Sequence, residues 1–308
     1  MTQISRRSLF GAAAAASVLP VAGGLAAFSP IAAAAAAPKK ARTIVEIAAM
    51  SPVDMARESD VVQTSYEIIR AAAGRLRDPE LRKAVLSIIE NPAPTIASAD
   101  QSAVLAALKK EGLIAAGRTS VFPKFSDTTR SPQPTWSAPG SGYGSHHAYP
   151  GGLCTHVALN VVSAESLVAA YDNIDGLKLD FDHAVGGEIL HDLHKPWVFQ
   201  WEADNACRKE EALAGTGEHH VLSIAESIKR GLPAEFVVAQ ACAHEHPGSA
   251  SGEAQVVGWL RAAAIIAGVD PVKAGLIAAD GKTLPLPRRI EGWVCLLYTS
   301  DAADDKAR

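Results

Sequence analysis

The sequence predicts an all-α fold, a helical bundle, on three observations. Only 6% of the 308 residues are aromatic and alanine is abundant, a composition that suits close helix packing better than a β-sandwich, where aromatic and β-branched residues dominate. Apolar residues recur at helical spacing in several separate stretches. No run alternates apolar and polar residues as half-buried strands do, and no repeat of about 20–50 residues is present. With 48% apolar and 20% charged residues, the chain can bury a sizeable core in one or two domains. A net charge of −4, from 29 basic and 33 acidic residues, argues against a polyanion-binding surface, so no nucleic-acid scaffold role is expected. The four cysteines, Cys154, Cys207, Cys242 and Cys295, form no CxxC pair and read as free core thiols.

Residues 1–37 begin Ser5-Arg6-Arg7-Ser8-Leu9-Phe10 and continue through a weakly apolar, alanine-rich stretch. They resemble a twin-arginine export signal. Gly11, Pro20, Gly23, Gly24 and Pro30 interrupt the stretch, so no permanent membrane anchor is expected. The expectation is a precursor handled by the twin-arginine export machinery and a mature protein that is periplasmic or secreted. That pathway carries proteins already folded, which suits a metalloprotein.

A small helical N-terminal region is expected over 38–121. Ile68, Ile69, Leu76, Leu81, Val85, Leu86 and Ile89 recur on successive turns, with a break near Asp78-Pro79,. Ser102 to Lys110 reads as a further short helix, stopped at Gly112,. Residues 122–144 turn to proline, glycine and serine and read as a long loop,. Within 145–294, helical patterns run over Leu153–Tyr171, Phe181–Leu193, Glu218–Arg230, Ala234–His244 and Glu253–Gly268,. Residues 295–308, which open Cys295-Leu296-Leu297-Tyr298-Thr299-Ser300, resemble one translated frame of a transposase sequencing adapter. They are set aside, with the expectation that the natural sequence is cut off near Val294 and that its own C-terminus is missing.

All ten histidines lie between His146 and His246. Histidine ligates metals and moves protons near neutral pH, so the cluster invites a metal site. The sharpest element is Leu190-His191-Asp192-Leu193-His194-Lys195, where an imidazole and a carboxylate leave one helix turn as a ligand pair for manganese, iron, zinc, nickel or magnesium. Upstream stands His146-His147-Ala148-Tyr149-Pro150-Gly151-Gly152-Leu153-Cys154-Thr155-His156; downstream follow Glu218-His219-His220, then His244-Glu245-His246, then Trp259 to Gly268.

This ordered series resembles the HD-domain metal-dependent phosphohydrolase superfamily, most nearly the branch in HD-type 3′-to-5′ exoribonucleases. The resemblance covers Ser145 to Gly268 and implies a divalent metal ion, a small phosphorylated substrate and hydrolysis of a phosphate ester by metal-activated water. It assigns metal ligation to His156, His191 and Asp192. The family's fourth core ligand is an aspartate, and that place here holds Ala264; a weaker site, a water in that position, a ligand from nearby Asp270 or Asp280, and loss of catalysis are the open alternatives. Further histidines would come from His219 or His220 and from His244 or His246. Neighbours in sequence point in different directions on a helix, and His220 and His246 are favoured as additional ligands or phosphate donors, with His244 as the alternative to His246. Lys195 completes an HD-x-x-K pattern and would meet a phosphate oxygen; the plain alternative is a cation at a helix C-terminus. Trp197 and Trp201 read as core, and Glu188 as a residue that could orient a ligand. Two other functions stay open: a degenerate, non-catalytic HD ligand-binding module, suggested by Ala264, and a di-iron oxygenase like some HD relatives.

Overall fold

The computed structural model describes residues 41–124, 132–142 and 146–296. The twin-arginine-like segment 1–37, residues 297–308 and parts of the 122–144 loop lie outside the described residues.

The architecture is all-α. The first helices, α1 (Ile44–Ala48), α2 (Pro52–Glu58), α3 (Asp60–Gly74), α4 (Pro79–Glu90) and α5 (Gln101–Lys110), each begin at a side-chain cap. Thr43 and Glu46 form a reciprocal capping box, and the side chains of Ser51, Ser59, Asp78 and Asp100 accept from amides of the first turn,. The expected break at Asp78-Pro79 is such a start: Asp78 caps Glu80 and Leu81 while Pro79 opens the helix, where its missing N–H costs nothing,. The short α1 and α2 lack the length for a readable period.

The histidine-bearing part follows as α6 (Gly152–Ala170), α7 (Phe181–Leu190), α8 (Lys195–Val198), α9 (Glu218–Lys229), α10 (Ala234–Ala241), α11 (Ala250–Ala267) and α12 (Glu291–Leu296). Helix α6 packs on α3 and α7, α7 on α10 and α12, and α9 on α11. With its π-helical continuation to Asp175, α6 is apolar and long enough to cross a membrane, but it buries His156 and Asn160 inside this bundle.

The sequence gives no hairpin signal, yet one is present. Ala212–Leu213 (β1) pairs antiparallel with Thr216–Gly217 (β2). Two-residue strands are too short to show alternation. The turn between them needs positive φ at both positions, which Ala214 (51°) and Gly215 (79°) adopt,.

One apolar core runs through both halves, joining Leu76 and Ile88 to Leu190, Leu222, Phe236 and Leu260. Each such fully buried side chain stabilises the fold by about 1.5–3 kcal/mol. Trp197 and Trp201 are buried in it, as expected of core residues, and Cys154, Cys207 and Cys242 are free thiols. Two buried carboxylates add polar ties: Asp182 accepts from the Arg77 and Asp78 amides, and Glu226 from those of Thr95 and Ile96. The N-terminal helices are thereby tied to the start of α7 and to α9.

Candidate metal centre

Four segments converge on Asp192. His156 projects from the first turns of α6 and is fully buried. Helix α7 ends at Leu190, whose carbonyl accepts from Gln240 Nε2 on α10 at 2.8 Å, and this fixes the turn carrying His191 and Asp192. The β1–β2 hairpin leads directly into α9, which opens with Glu218, His219 and His220. His244 stands in the turn that follows α10.

Both carboxylate oxygens of Asp192 are surrounded. Oδ2 lies 3.3 Å from His156 Nε2, 3.0 Å from His191 Nε2 and 2.6 Å from Lys195 Nζ. His156 Nε2 and His191 Nε2 are themselves 3.3 Å apart. Oδ1 lies 3.3 Å from His219 Nε2 and 3.7 Å from His244 Nε2, and His220 stacks on His244 with ring centroids 3.5 Å apart. Donor atoms of His156, His191 and Asp192 form one compact group, and those of Asp192, His219, His220 and His244 form another.

The outer partners fix tautomers. His191 Nδ1 is 2.6 Å from the Glu188 carbonyl oxygen, and His219 Nδ1 is 2.6 Å from Glu210 Oε2. Both partners can only accept, so each Nδ1 carries a proton and each ring turns its Nε2 toward the Asp192 carboxylate. A lone pair facing an anionic oxygen is repulsive unless a cation or a second proton lies between them. The residues therefore fit a cation site, with outer hydrogen bonds of the kind that orient metal-bound histidines. Spacing agrees: ligands about 2.0–2.2 Å from one ion stand about 2.8–3.6 Å apart. One carboxylate among several imidazoles suits a borderline transition ion better than calcium or magnesium.

Electrostatics follow the same arrangement. Burial works against ionised Asp192, but His191 and Lys195 outweigh it and hold the carboxyl well below the usual carboxylate range,. Burial likewise opposes charge on His219, yet Glu210 and Asp192 push that ring up to about 9. Burial together with the neighbouring His244 and His219 holds His220 well below the ordinary histidine value.

The structure brings His156, His191, Asp192, Lys195 and His220 together. It leaves His246 apart: that ring packs on Trp293 at 4.3 Å and its Nδ1 accepts from the Gly248 amide. His244, the alternative, is the one beside Asp192, because the chain leaves helical geometry after α10 and the two residues diverge. His219, the less favoured neighbour of His220, also faces Asp192. Lys195 does not sit at a helix C-terminus; it opens α8 and is buried. Glu188 orients His191 through its backbone carbonyl, with its own Oε1 at 3.7 Å from Nδ1. Ala264 is fully buried among apolar side chains. Asp270 and Asp280 are exposed and accept from their own turn amides, apart from the metal-ligand groups. Sequence reasoning missed Glu210 and Thr216, whose hydroxyl lies 2.6 Å from His220 Nδ1; neither has a signal before the hairpin is known.

No family model and no solved structure matches the chain. Among curated proteins, it is 27% identical over 180 residues to the dihydroneopterin 2′,3′-cyclic phosphate phosphodiesterase of Methanocaldococcus jannaschii. The match covers 56% of this chain and 56% of the relative, so the chain spans about half the length of that protein. Similarity to a phosphodiesterase, an all-α bundle and a His–Asp cluster able to hold a metal are together consistent with an HD-like domain.

Proposed function

We propose that this chain is a metal-dependent phosphohydrolase that cleaves a phosphate ester of a small molecule. The carrying observation is Asp192, a buried carboxylate whose two oxygens are faced from opposite groups by histidine Nε2 atoms with fixed tautomers. His156, His191 and Asp192 Oδ2 would hold a divalent ion, and His219, His220, His244 and Asp192 Oδ1 offer a second set of donors. Bound there, such an ion supplies a Lewis acid and a water of lowered pKa. Lys195 neutralises Asp192, and its flexible ammonium would meet a phosphate oxygen of the substrate. His220, kept neutral by burial and by its charged neighbours, binds as a ligand or donates one N–H to the phosphate. His246, set against Trp293, is left out of this assignment.

The relative's name pairs a small organic molecule with a 2′,3′-cyclic phosphate, so a cyclic phosphodiester is the first substrate class to test. Metal-free full chain is loaded in turn with manganese, iron, zinc, nickel or magnesium and assayed on 2′,3′-cyclic nucleotides and bis(4-nitrophenyl) phosphate. Hydrolysis should require metal, and Asp192→Asn should cost more than the roughly 10–100-fold that loss of an outer-shell partner costs. Activity that survives chelation would reject the reading. A second reading rests on Lys195 Nζ lying 2.6 Å from Asp192 Oδ2: the built-in ammonium serves as counter-cation in a non-catalytic ligand-binding module. Elemental analysis of the native protein separates the two.

We also propose export to the periplasm or exterior, on Arg6-Arg7 and the alanine-rich stretch behind them. Replacing both arginines by lysine should leave precursor in the cytoplasm; normal export of that variant would reject the proposal.

A further inference from the structure

Just before α6, the segment His146-His147-Ala148-Tyr149-Pro150-Gly151 brings two more imidazoles to the rim of the centre. Their rings lie 5.0 and 5.4 Å from the ring of His156, and donor atoms of all three form one compact group. His146 Nδ1 and His147 Nδ1 are 2.8 Å apart, at the short end of the about 2.8–3.6 Å expected for two ligands of one ion. His156 is shared, since its Nε2 also meets His191 and Asp192. The segment thus continues the histidine array outward.

The backbone is built to hold this pair. His147 adopts φ 54°, a left-handed conformation that is uncommon for a residue with a Cβ and that persists where the surroundings enforce it. Its carbonyl accepts from the Gly140 amide at 2.9 Å. A Cβ on Gly152 would stand 1.9 Å from that carbonyl oxygen, and one on Gly140 would stand 2.6 Å from His147 Cβ. Only glycine at both places lets the segment lie against the start of α6. Ser141 Oγ donates to the His146 carbonyl at 2.5 Å, and Tyr149 Oη and Thr155 Oγ1 are hydrogen-bonded at 2.6 Å. An ordinary surface turn has no need of such close fitting around a strained residue.

We propose that His146 and His147 are metal ligands that, with His156, extend the centre by two nitrogen donors beyond the group of His156, His191 and Asp192. The inference rests on the proposed metal site. It makes the donor set richer in nitrogen, which further favours zinc, nickel, iron or manganese over magnesium.

The test is calorimetric titration of metal-free full chain with zinc and with manganese, on wild type, His146→Gln/His147→Asn, and Asp192→Asn. Asparagine tolerates the left-handed backbone at 147, and circular dichroism checks that each variant is folded. In the double variant, affinity should fall by at least about tenfold, or one ion fewer should bind. Unchanged affinity and stoichiometry would overturn the proposal. So would unchanged metal binding with weakened binding of inorganic phosphate to the loaded protein, which would make the pair an anion contact. A wild type that binds no metal rejects the function proposed above; metal binding lost in Asp192→Asn but intact in the double variant rejects this inference alone.

Discussion

At the scale of single residues, Glu210 shows how a side chain away from the ligands can govern them. Its carboxylate accepts a hydrogen bond from His219 Nδ1–H at 2.6 Å and thereby turns Nε2 to face Asp192. Glu210→Gln should weaken metal binding by about 10–100-fold and, in metal-free protein, drop the His219 ring from about 9 toward the ordinary value; titration calorimetry and histidine NMR check the two effects. Ala264 gives a second prediction. It is fully buried in the apolar core, so Ala264→Asp should bury an unpaired charge and cost several kcal/mol, seen as a lowered melting temperature. An unchanged melt with tighter manganese binding would show instead that this position faces the metal. The His191–Asp192 pair was legible in the sequence because its chemistry is local. The choice between His219 and His220, or His244 and His246, was not. Helical spacing says that neighbours diverge, but which one meets Asp192 depends on how α7, α9 and α10 cross.

At the scale of elements, α3 to α7 and α9 to α11 were legible because each joins an apolar period to a start signal or to a glycine or proline stop. The hairpin and α8 were not, since two-residue strands and a single helical turn carry no period. Yet these short pieces set the site, as β2 delivers Thr216 and α8 delivers Lys195. The tie between α9, the Thr95–Ser98 turn and the turn that carries His194 is Glu226. It accepts from the amides of Thr95 and Ile96, the Thr95 hydroxyl and Arg230 Nε, and its Oε2 lies 3.4 Å from His194 Nε2. Burial pushes the Glu226 carboxyl up, but the His194 contact, the Thr95 amide and Arg230 outweigh it and hold it well below the usual range. A depressed carboxyl stabilises the fold above its unfolded-state pKa, about 4.3, and that stability is lost as pH falls through the folded-state value. Glu226→Gln should therefore destabilise by about 3–5 kcal/mol at pH 7, and the gap to wild type should shrink as pH falls below about 4. Denaturant melts across that range decide it; a gap independent of pH would show that the carboxylate charge is not what matters. His194 is thus accounted for by packing against this tie.

At the scale of the whole molecule, one continuous core joins the N-terminal helices to the histidine-bearing ones, while the donors come from four segments far apart in sequence: α6, the end of α7, the start of α9 and the turn after α10. In an unfolded chain those donors are dispersed, so a cation bound by them binds the folded state almost exclusively and stabilises all of it by mass action. At a free metal concentration of about 100 times Kd the gain is about 2.7 kcal/mol. For a chain of this size that corresponds to roughly 4–5 °C in melting temperature. Metal-loaded protein should therefore melt in one transition, and chelator should lower its midpoint by that amount without splitting the transition, because the core is shared. Without the metal, the His219 ring, pushed up to about 9 by Glu210 and Asp192, carries a second proton at its Nε2, 3.3 Å from Asp192 Oδ1. Metal binding must displace that proton, so the chelator effect should be smaller at pH 6 than at pH 8. Asp192→Asn should melt at the same temperature with and without chelator. A wild-type melt indifferent to both metal and chelator across this pH range would mean that the buried histidines are held by protons alone, and the metal-centred reading of Asp192 would fall with it.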